Sequence, residues 1–229
     1  MFGFLNIHKP PGPTSHDIVA RLRRQLPRRT KVGHAGTLDP FAEGVLVVCV
    51  GQGTRLAEYV QHQPKRYRAT VTLGATSSTD DATGEIIPRD VSQQPTREDI
   101  LRATRALTGG IPQVPPAYSA VHVDGQRAYR RARRGETFDI PARSVEIHYI
   151  ELVGYDWPQV VVNVWCGSGT YIRSLARDLG EALDVGGYCS ALARLAVGAF
   201  CIEAAVLPHN VQPQQHLIPP LTMLGLPSP

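Results

Sequence analysis

Lys31-Val-Gly-His-Ala-Gly-Thr-Leu-Asp-Pro-Phe-Ala-Glu-Gly-Val45 is the stretch around which the chain is organised. It reads as a loop punctuated by Gly33, Gly36 and Gly44. It carries one His and one Asp, and it runs straight into the apolar residues 45–50. Glycines let backbone turn tightly or approach a ligand closely. Pro40 biases Asp39 away from helical geometry toward extended backbone. Asp39 is therefore expected on a presented segment, with a buried strand behind it as a rigid platform. An Asp-Pro pair alone reads as an ordinary turn; the whole stretch and its surroundings argue for more.

Upstream, residues 4–8 read as a short strand, and Lys9-Pro-Pro-Gly-Pro13 as a turn-rich break. Thr14 or Ser15 is placed to cap a helix with Asp17 in its first turn. Ile18, Val19, Leu22 and Leu26 give that helix an apolar face, with Arg21, Arg24 and Arg28 on the other side. Downstream, Gly51 and Gly53 frame a turn, and Thr54 is expected to cap a helix over 55–62. In Lys65–Leu73 the alternation predicts a strand, with Tyr67, Ala69, Val71 and Leu73 facing inward and Arg66 and Arg68 outward. A tyrosine so placed is core packing or, beside basic residues, a base-stacking platform.

Residues 74–85 read as a polar loop in which Asp80 and Asp81 serve turns or caps; the spacing of a calcium loop is absent. A helix follows over 96–107, capped by Thr96 and stopped by Gly109 and Gly110. Ile111-Pro-Gln-Val-Pro-Pro-Ala-Tyr118 is read as irregular, and 126–135 as a short basic helix. Two strands, 145–155 and 159–166, precede a glycine-rich turn that opens a helix near Tyr171. Arg173 then sits in the first helical turn, the unfavourable end for a cation, so a carboxylate or phosphate partner is expected. A last strand covers 192–198. Residues 208–229 are read as a Pro-rich tail, ordered in part by Leu217, Ile218, Leu221 and Leu224.

The chain has 229 residues, 42% hydrophobic and 19% charged, which suits a soluble globular protein. No apolar run approaches a membrane span and no signal peptide is apparent, so no membrane partner and a cytoplasmic location are expected. Cys49, Cys166, Cys189 and Cys201 lack metal-ligand spacing and read as reduced thiols, with no metal. Charge is uneven. Residues 1–68 hold 11 Lys and Arg against 4 Asp and Glu, residues 126–143 hold 6 against 2, and the remainder is acidic. Such asymmetry suits a polyanion-binding face, or a solvated basic helix.

Six segments carry a resemblance: Lys9-Pro-Pro-Gly, Gly33-His-Ala-Gly-Thr-Leu-Asp-Pro40, Lys65-Arg-Tyr-Arg68, Pro116-Ala-Tyr-Ser-Ala120, Gly169-Thr-Tyr-Ile-Arg173 and Arg194-Leu-Ala-Val-Gly198. In this order the chain resembles the bacterial tRNA pseudouridine-55 synthases of the TruB type. The resemblance implies an α+β pseudouridine synthase fold, a central mixed β-sheet flanked by helices with an RNA-binding cleft. It implies isomerisation of a T-loop uridine, with base flipping and without cofactor or metal; the partner is the tRNA T arm and a monomer is expected. By the same resemblance, Asp39 matches the catalytic aspartate and Arg173 the arginine that pairs with it. Tyr67 matches the tyrosine that stacks on the base and is a candidate proton acceptor. His34 matches the histidine that fills the gap left by the flipped nucleotide. Tyr171 and Leu195 match residues lining the base pocket, and Lys9 one near the RNA. Ala35 stands where the family more usually has Thr, and Ala193 where it has a first Arg. The expected organisation is a catalytic domain over 1–207 and the tail over 208–229, without a complete C-terminal RNA-binding domain.

Pseudouridine formation needs neither redox nor hydrolysis. A carboxylate adds to C6 of uracil, or attacks or stabilises C1′ of ribose; the residues do not choose between these. Two other readings are open. A non-catalytic RNA-binding or tRNA-folding protein would use the same basic face without needing Asp39 and Arg173. A glycosidase-like hydrolase would need a second carboxylate near Asp39, and Glu43 is the nearest in sequence.

Overall fold

A computed structural model of the chain describes residues 1–119, 121–123 and 125–221. Ala120 of the fourth segment and Leu224 of the tail lie outside the described residues. In chain order the elements are β1 (Gly3–Lys9), α1 (Ser15–Arg23), β2 (Val32–His34), β3 (Glu43–Val50), α2 (Ala57–His62), β4 (Lys65–Leu73), β5 (Ala75–Ser77), β6 (Ile86–Pro88), α3 (Arg97–Ala106) and β7 (Gly109–Gln113). They continue with β8 (His122–Val123), β9 (Gln126–Arg127), α4 (Ala128–Arg133), β10 (Arg143–Asp156), β11 (Gln159–Cys166), α5 (Ile172–Ala182), β12 (Gly187–Val197), β13 (Phe200–Cys201) and α6 (Pro213–His216). The chain folds into two compact units. One holds residues 1–67 and those from Leu192 onward, the other residues 68–191, so β4 and β12 each run from one unit into the other.

In the first unit the strand order is β1–β3–β12, with β2 also on β3 and β13 on β12. β1 and β2 run antiparallel to β3, whereas β12 runs parallel to it, which makes the sheet mixed. β3 is apolar on both faces because both are covered. Leu46, Val48 and Val50 pack against Ile18, Val19 and Leu22 of α1. Val45, Val47 and Cys49 pack against Val60 of α2, Val197 and Phe200. At nine residues α1 is too short to persist alone in water. Its capping box, Thr14 with Asp17, and burial worth roughly 1.5–3 kcal/mol per aliphatic side chain hold it.

The second unit has the order β12–β4–β11–β10–β7. Ala69 and Val71 of β4, Val162 of β11 and Ile150 of β10 face Leu175 and Leu179 of α5 and Thr104 of α3 across one small apolar gap. α3 begins at the predicted cap, with Thr96 and Asp99 bonded reciprocally.

Five local expectations change. Residues 32–34 form a strand on β3 rather than loop, with Ala35 N–H continuing onto Val47 O at 2.9 Å. Residues 51–56 form a 3₁₀ turn in which Thr54 Oγ1 donates back to Gly51 O, so Thr54 does not cap α2. The helix stop at Gly109 and Gly110 and the first three residues of the 111–118 segment expected to be irregular instead form the terminal strand β7 on β10. Pro112 is tolerated there because an edge strand has one side on which no N–H is needed. The 74–85 loop is bracketed by the β5–β6 hairpin. β12 starts five residues before the predicted strand, at Gly187. Ile218 of the tail exchanges two hydrogen bonds with Phe4 of β1, and Val206, just before the tail, bonds with Asn6 and His8.

Candidate active site

Asp39 lies in the first unit, on the loop between β2 and β3, half-buried. Every main-chain carbonyl from Gly36 to Pro40 receives a hydrogen bond. Arg194 Nη2 donates to Gly36 O (3.2 Å) and Nη1 to Thr37 O (3.1 Å). Ser15 Oγ donates to Leu38 O and accepts from Leu38 N–H, both at 2.9 Å. Ala42 N–H donates to Asp39 O (3.2 Å), and Gly12 N–H to Pro40 O (2.7 Å). Lys9 Nζ also reaches Pro40 O at 3.2 Å. Fixing five residues costs about 5–10 kcal/mol of backbone entropy. Three charge-assisted bonds at about 1.5–3 kcal/mol each, with neutral ones near 1 kcal/mol, offset a cost of that order.

Lys9, expected beside the RNA, is 0% exposed, with Nζ also on the carbonyls of Pro10 and Pro13. Burial lowers its pKa to about 8; the negative charge of Asp39 opposes that fall and the positive charge of Arg194 adds to it. Asp39, Lys9 and Arg194 are thus one charge cluster. His34 ends β2, its Nδ1 buried without a hydrogen-bond partner, and burial followed by Arg194 holds its pKa low. Tyr67 takes its place on the buried face of β4, 8% exposed, and Leu195 is half-buried on β12 next to Arg194. Glu43 lies 3.6 Å from His8.

Tyr171 and Arg173 belong to the second unit. Tyr171 precedes α5 and is fixed by Gln113, which accepts from its N–H at 2.8 Å and donates to its carbonyl at 3.1 Å. Its ring packs with Val121, Val123 and Ala128, the base of the α4 segment. Arg173 is 4% exposed. It donates through Nη1 to Thr79 O (3.2 Å) and Asp81 Oδ2 (3.3 Å), and through Nη2 to Tyr118 O (3.0 Å). One turn later Arg177 donates to Asp80 Oδ2 (2.8 Å), Asp178 Oδ1 (2.9 Å) and Val114 O (2.9 Å). Burial raises the pKa of both Asp80 and Asp178, with Arg177 opposing.

Sequence reasoning therefore reached Arg173's need for a carboxylate but not Asp81, which it read as a turn residue. The available signal was the pair of acids at 80 and 81 matched by arginines at 173 and 177, one helical turn apart. Arg194 appears only as the first residue of the sixth segment and Ser15 only as a possible helix cap, neither with a role at the loop. Neither gives a local signal, since each acts on backbone far away in sequence. Among the described residues no group of His, Cys, Asp and Glu is placed to hold a metal ion.

α4 presents a basic surface in the second unit. Arg130 and Arg133 lie over the Tyr129 ring at 6.0 and 5.6 Å, and Arg131 over Phe138 at 4.6 Å. Arg131 and Arg134 share Glu136.

Residues 23–172 match the family model described as TruB family pseudouridylate synthase, N terminal domain. The chain is 52% identical over 211 residues to tRNA pseudouridine synthase B of Thermobifida fusca, covering 89% of this chain and 72% of that protein. It is 46% identical over 235 residues to the protein of the same name from Syntrophomonas wolfei, covering 99% and 77%. Among solved structures, a chain of a Cbf5–Nop10–Gar1 complex matches with a TM-score of 0.71 and 31% identity, over 91% of this chain and 53% of that one. A chain of an H/ACA RNP bound to a substrate RNA containing 2′-deoxyuridine matches with a TM-score of 0.68 and 29% identity, over 91% and 52%. The chain thus spans about half the length of these two solved chains and about three quarters of the curated relatives.

Proposed function

The chain belongs to the TruB family of pseudouridylate synthases, and from that premise we propose that it isomerises the T-loop uridine at tRNA position 55 to pseudouridine, with Asp39 as the reacting carboxylate. The observation that carries the site assignment is the loop itself: one carboxylate on a segment whose five carbonyls, 36–40, are all bonded. A group that must meet one atom of a flipped nucleotide gains most from such preorganisation.

The reaction breaks N1–C1′, turns the base within the pocket, joins C5 to C1′, and moves the C5 proton away while N1 regains one. Asp39 serves either as the nucleophile at C6 or as the group that attacks or steadies C1′. Arg173 is proposed as its ion-pair partner and Tyr67 as the stacking surface and candidate acceptor of the C5 proton. Tyr171 and Leu195 would line the base pocket, and His34 would occupy the space the nucleotide leaves. Lys9 is assigned to bracing the Pro40 carbonyl, the role its burial supports. Extruding the base costs a few kcal/mol, which phosphate contacts from basic residues offset. The T arm as the element bound, a monomer, no membrane partner and a cytoplasmic site of action belong to the same proposal.

Release of tritium from tRNA labelled at uridine C5 tests it. The parent chain should release label in proportion to pseudouridine formed. Asp39→Asn should release none, yet bind tRNA within about tenfold of the parent, because binding is spread over many cations. Turnover by purified Asp39→Asn near the parental rate would remove Asp39 from the chemistry. Absence of release by the folded parent would remove the activity.

A further inference from the structure

We propose that Arg194 is a positioning residue of the reaction: its guanidinium sets where the Asp39 carboxylate lies by holding the carbonyls on both sides of the loop that bears it. The inference rests on the reading of Asp39 as the reacting group. Arg194 stands on β12 opposite Gly44 of β3 in a parallel pair. It is 2% exposed, the largest fully buried side chain of the protein among the described residues. Its three donors go to main chain only: Nε to Val45 O at 2.7 Å, Nη1 to Thr37 O and Nη2 to Gly36 O. Gly36 and Thr37 lie just after β2 and Val45 is the third residue of β3, so one planar group ties the start of the loop to the strand it leads into. An ammonium cannot reproduce that, because it lacks the fixed fork of a guanidinium.

The approach is built into the sequence. Gly44 has φ +106°, and a Cβ there would lie 2.2 Å from Arg194 O. Only glycine lets β3 and β12 come this close at that conformation. The charge points the same way. Among the described residues Arg194 forms no ion pair. A buried cation with no carboxylate in bonding distance is costly, and a neutral side chain of similar volume would fill a core more cheaply. A positive charge beside the Asp39 loop, felt by Lys9 and by His34, is what the cost obtains.

The test uses the full chain with Arg194→Met, Arg194→Lys and Ser15→Ala, the last removing the Leu38 clamp with little change of volume. Four quantities are measured: thermal midpoint, tRNA affinity, single-turnover rate at saturating tRNA per folded molecule, and amide exchange across 36–45. For Arg194→Met the rate should fall at least about 30-fold with affinity within about threefold and faster exchange confined to the loop. Arg194→Lys should recover only part of the rate. Ser15→Ala should show the same pattern at smaller amplitude, and it decides the matter if Arg194→Met does not fold. A folded Arg194→Met that turns over within twofold of the parent overturns the proposal, as does an unfolded one accompanied by parental rate and exchange in Ser15→Ala. Asp39→Asn separates the two readings. If it is inactive while Arg194→Met is fast, only the positioning role fails; if it is active, the Asp39 assignment itself fails.

Discussion

Asp81→Asn is nearly isosteric and removes one charge from a buried pair. Asp81 accepts from Arg173 at Oδ2 and, at Oδ1, from Thr79 Oγ1 (2.7 Å) and Thr83 N–H (2.9 Å). An amide satisfies one of these sides only. With its oxygen toward Thr79 and Thr83 its NH₂ meets the Arg173 guanidinium; flipped, the NH₂ meets two donors. Both side chains of the pair are 5% exposed, so water does not restore the loss. Breaking a buried pair by removing one partner costs roughly 3–5 kcal/mol. The lower end, about 3 kcal/mol, applies because Arg173 keeps the carbonyls of Thr79 and Tyr118. For a chain of this size that is roughly 6–12 °C of melting temperature. If Arg173 acts in the chemistry, a displacement of about 1 Å at its head group lowers the single-turnover rate by about 100-fold. Calorimetry and a rapid-quench assay at saturating tRNA measure the two effects. A melting temperature within about 2 °C of the parent, with an unchanged rate, would refute the reasoning from this pair.

Replacing Arg130, Arg131, Arg133 and Arg134 with Ala should weaken tRNA binding and flatten its salt dependence by about 0.7–0.9 per lost phosphate contact, with little change in single-turnover rate. Because Glu136 already takes up part of the charge of Arg131 and Arg134, the expected loss is about two to three contacts rather than four; an unaltered slope, read from affinities at several salt concentrations, would place the grip elsewhere. Lys9 has a folded pKa of about 8 against an ordinary 10.5. Between those values the folded chain sheds a proton that the unfolded chain keeps, so this group makes stability rise with pH, by up to about 1.4 kcal/mol per pH unit. Urea unfolding of parent and Lys9→Met at pH 7.5, 8.5 and 9.5 should show their difference moving in favour of the parent; a constant difference would mean that Lys9 does not titrate there.

Much of the fold was legible because it rests on local pattern. The capping boxes at Thr14 and Thr96, the alternation in β4 and the doubly buried run of β3 are each written in a few adjacent residues. The failures share a cause. Gly109–Gln113 carries glycine and proline, which argue against a strand until β10 is known to lie on one side only. Thr54 has the chemistry of a cap, but the 3₁₀ turn takes its hydroxyl first. At the candidate site, Asp39, Tyr67 and Arg173 are assigned through the resemblance. Asp81 and Arg194 are not, because their partners stand 92 and 149 or more residues away. No periodicity reports a contact at that separation.

The two units share one device. In the first, Lys9 and Arg194 make six hydrogen bonds to carbonyls of segments 10–13, 36–40 and Val45 while forming no ion pair with a carboxylate within bonding distance among the residues described. In the second, Arg173 and Arg177 divide their donors between the carbonyls of Thr79, Val114 and Tyr118 and the carboxylates of Asp80, Asp81 and Asp178. Folding alone does not ask for this, since apolar side chains of equal volume hold a core at lower cost. Carbonyl oxygens stabilise a buried cation without cancelling its charge, so the field persists beyond the hydrogen bonds. In the first unit that field acts on Asp39, whose negative charge in turn registers at Lys9. The bonds that create the field are the same ones that hold the carbonyls of the loop bearing Asp39 in place.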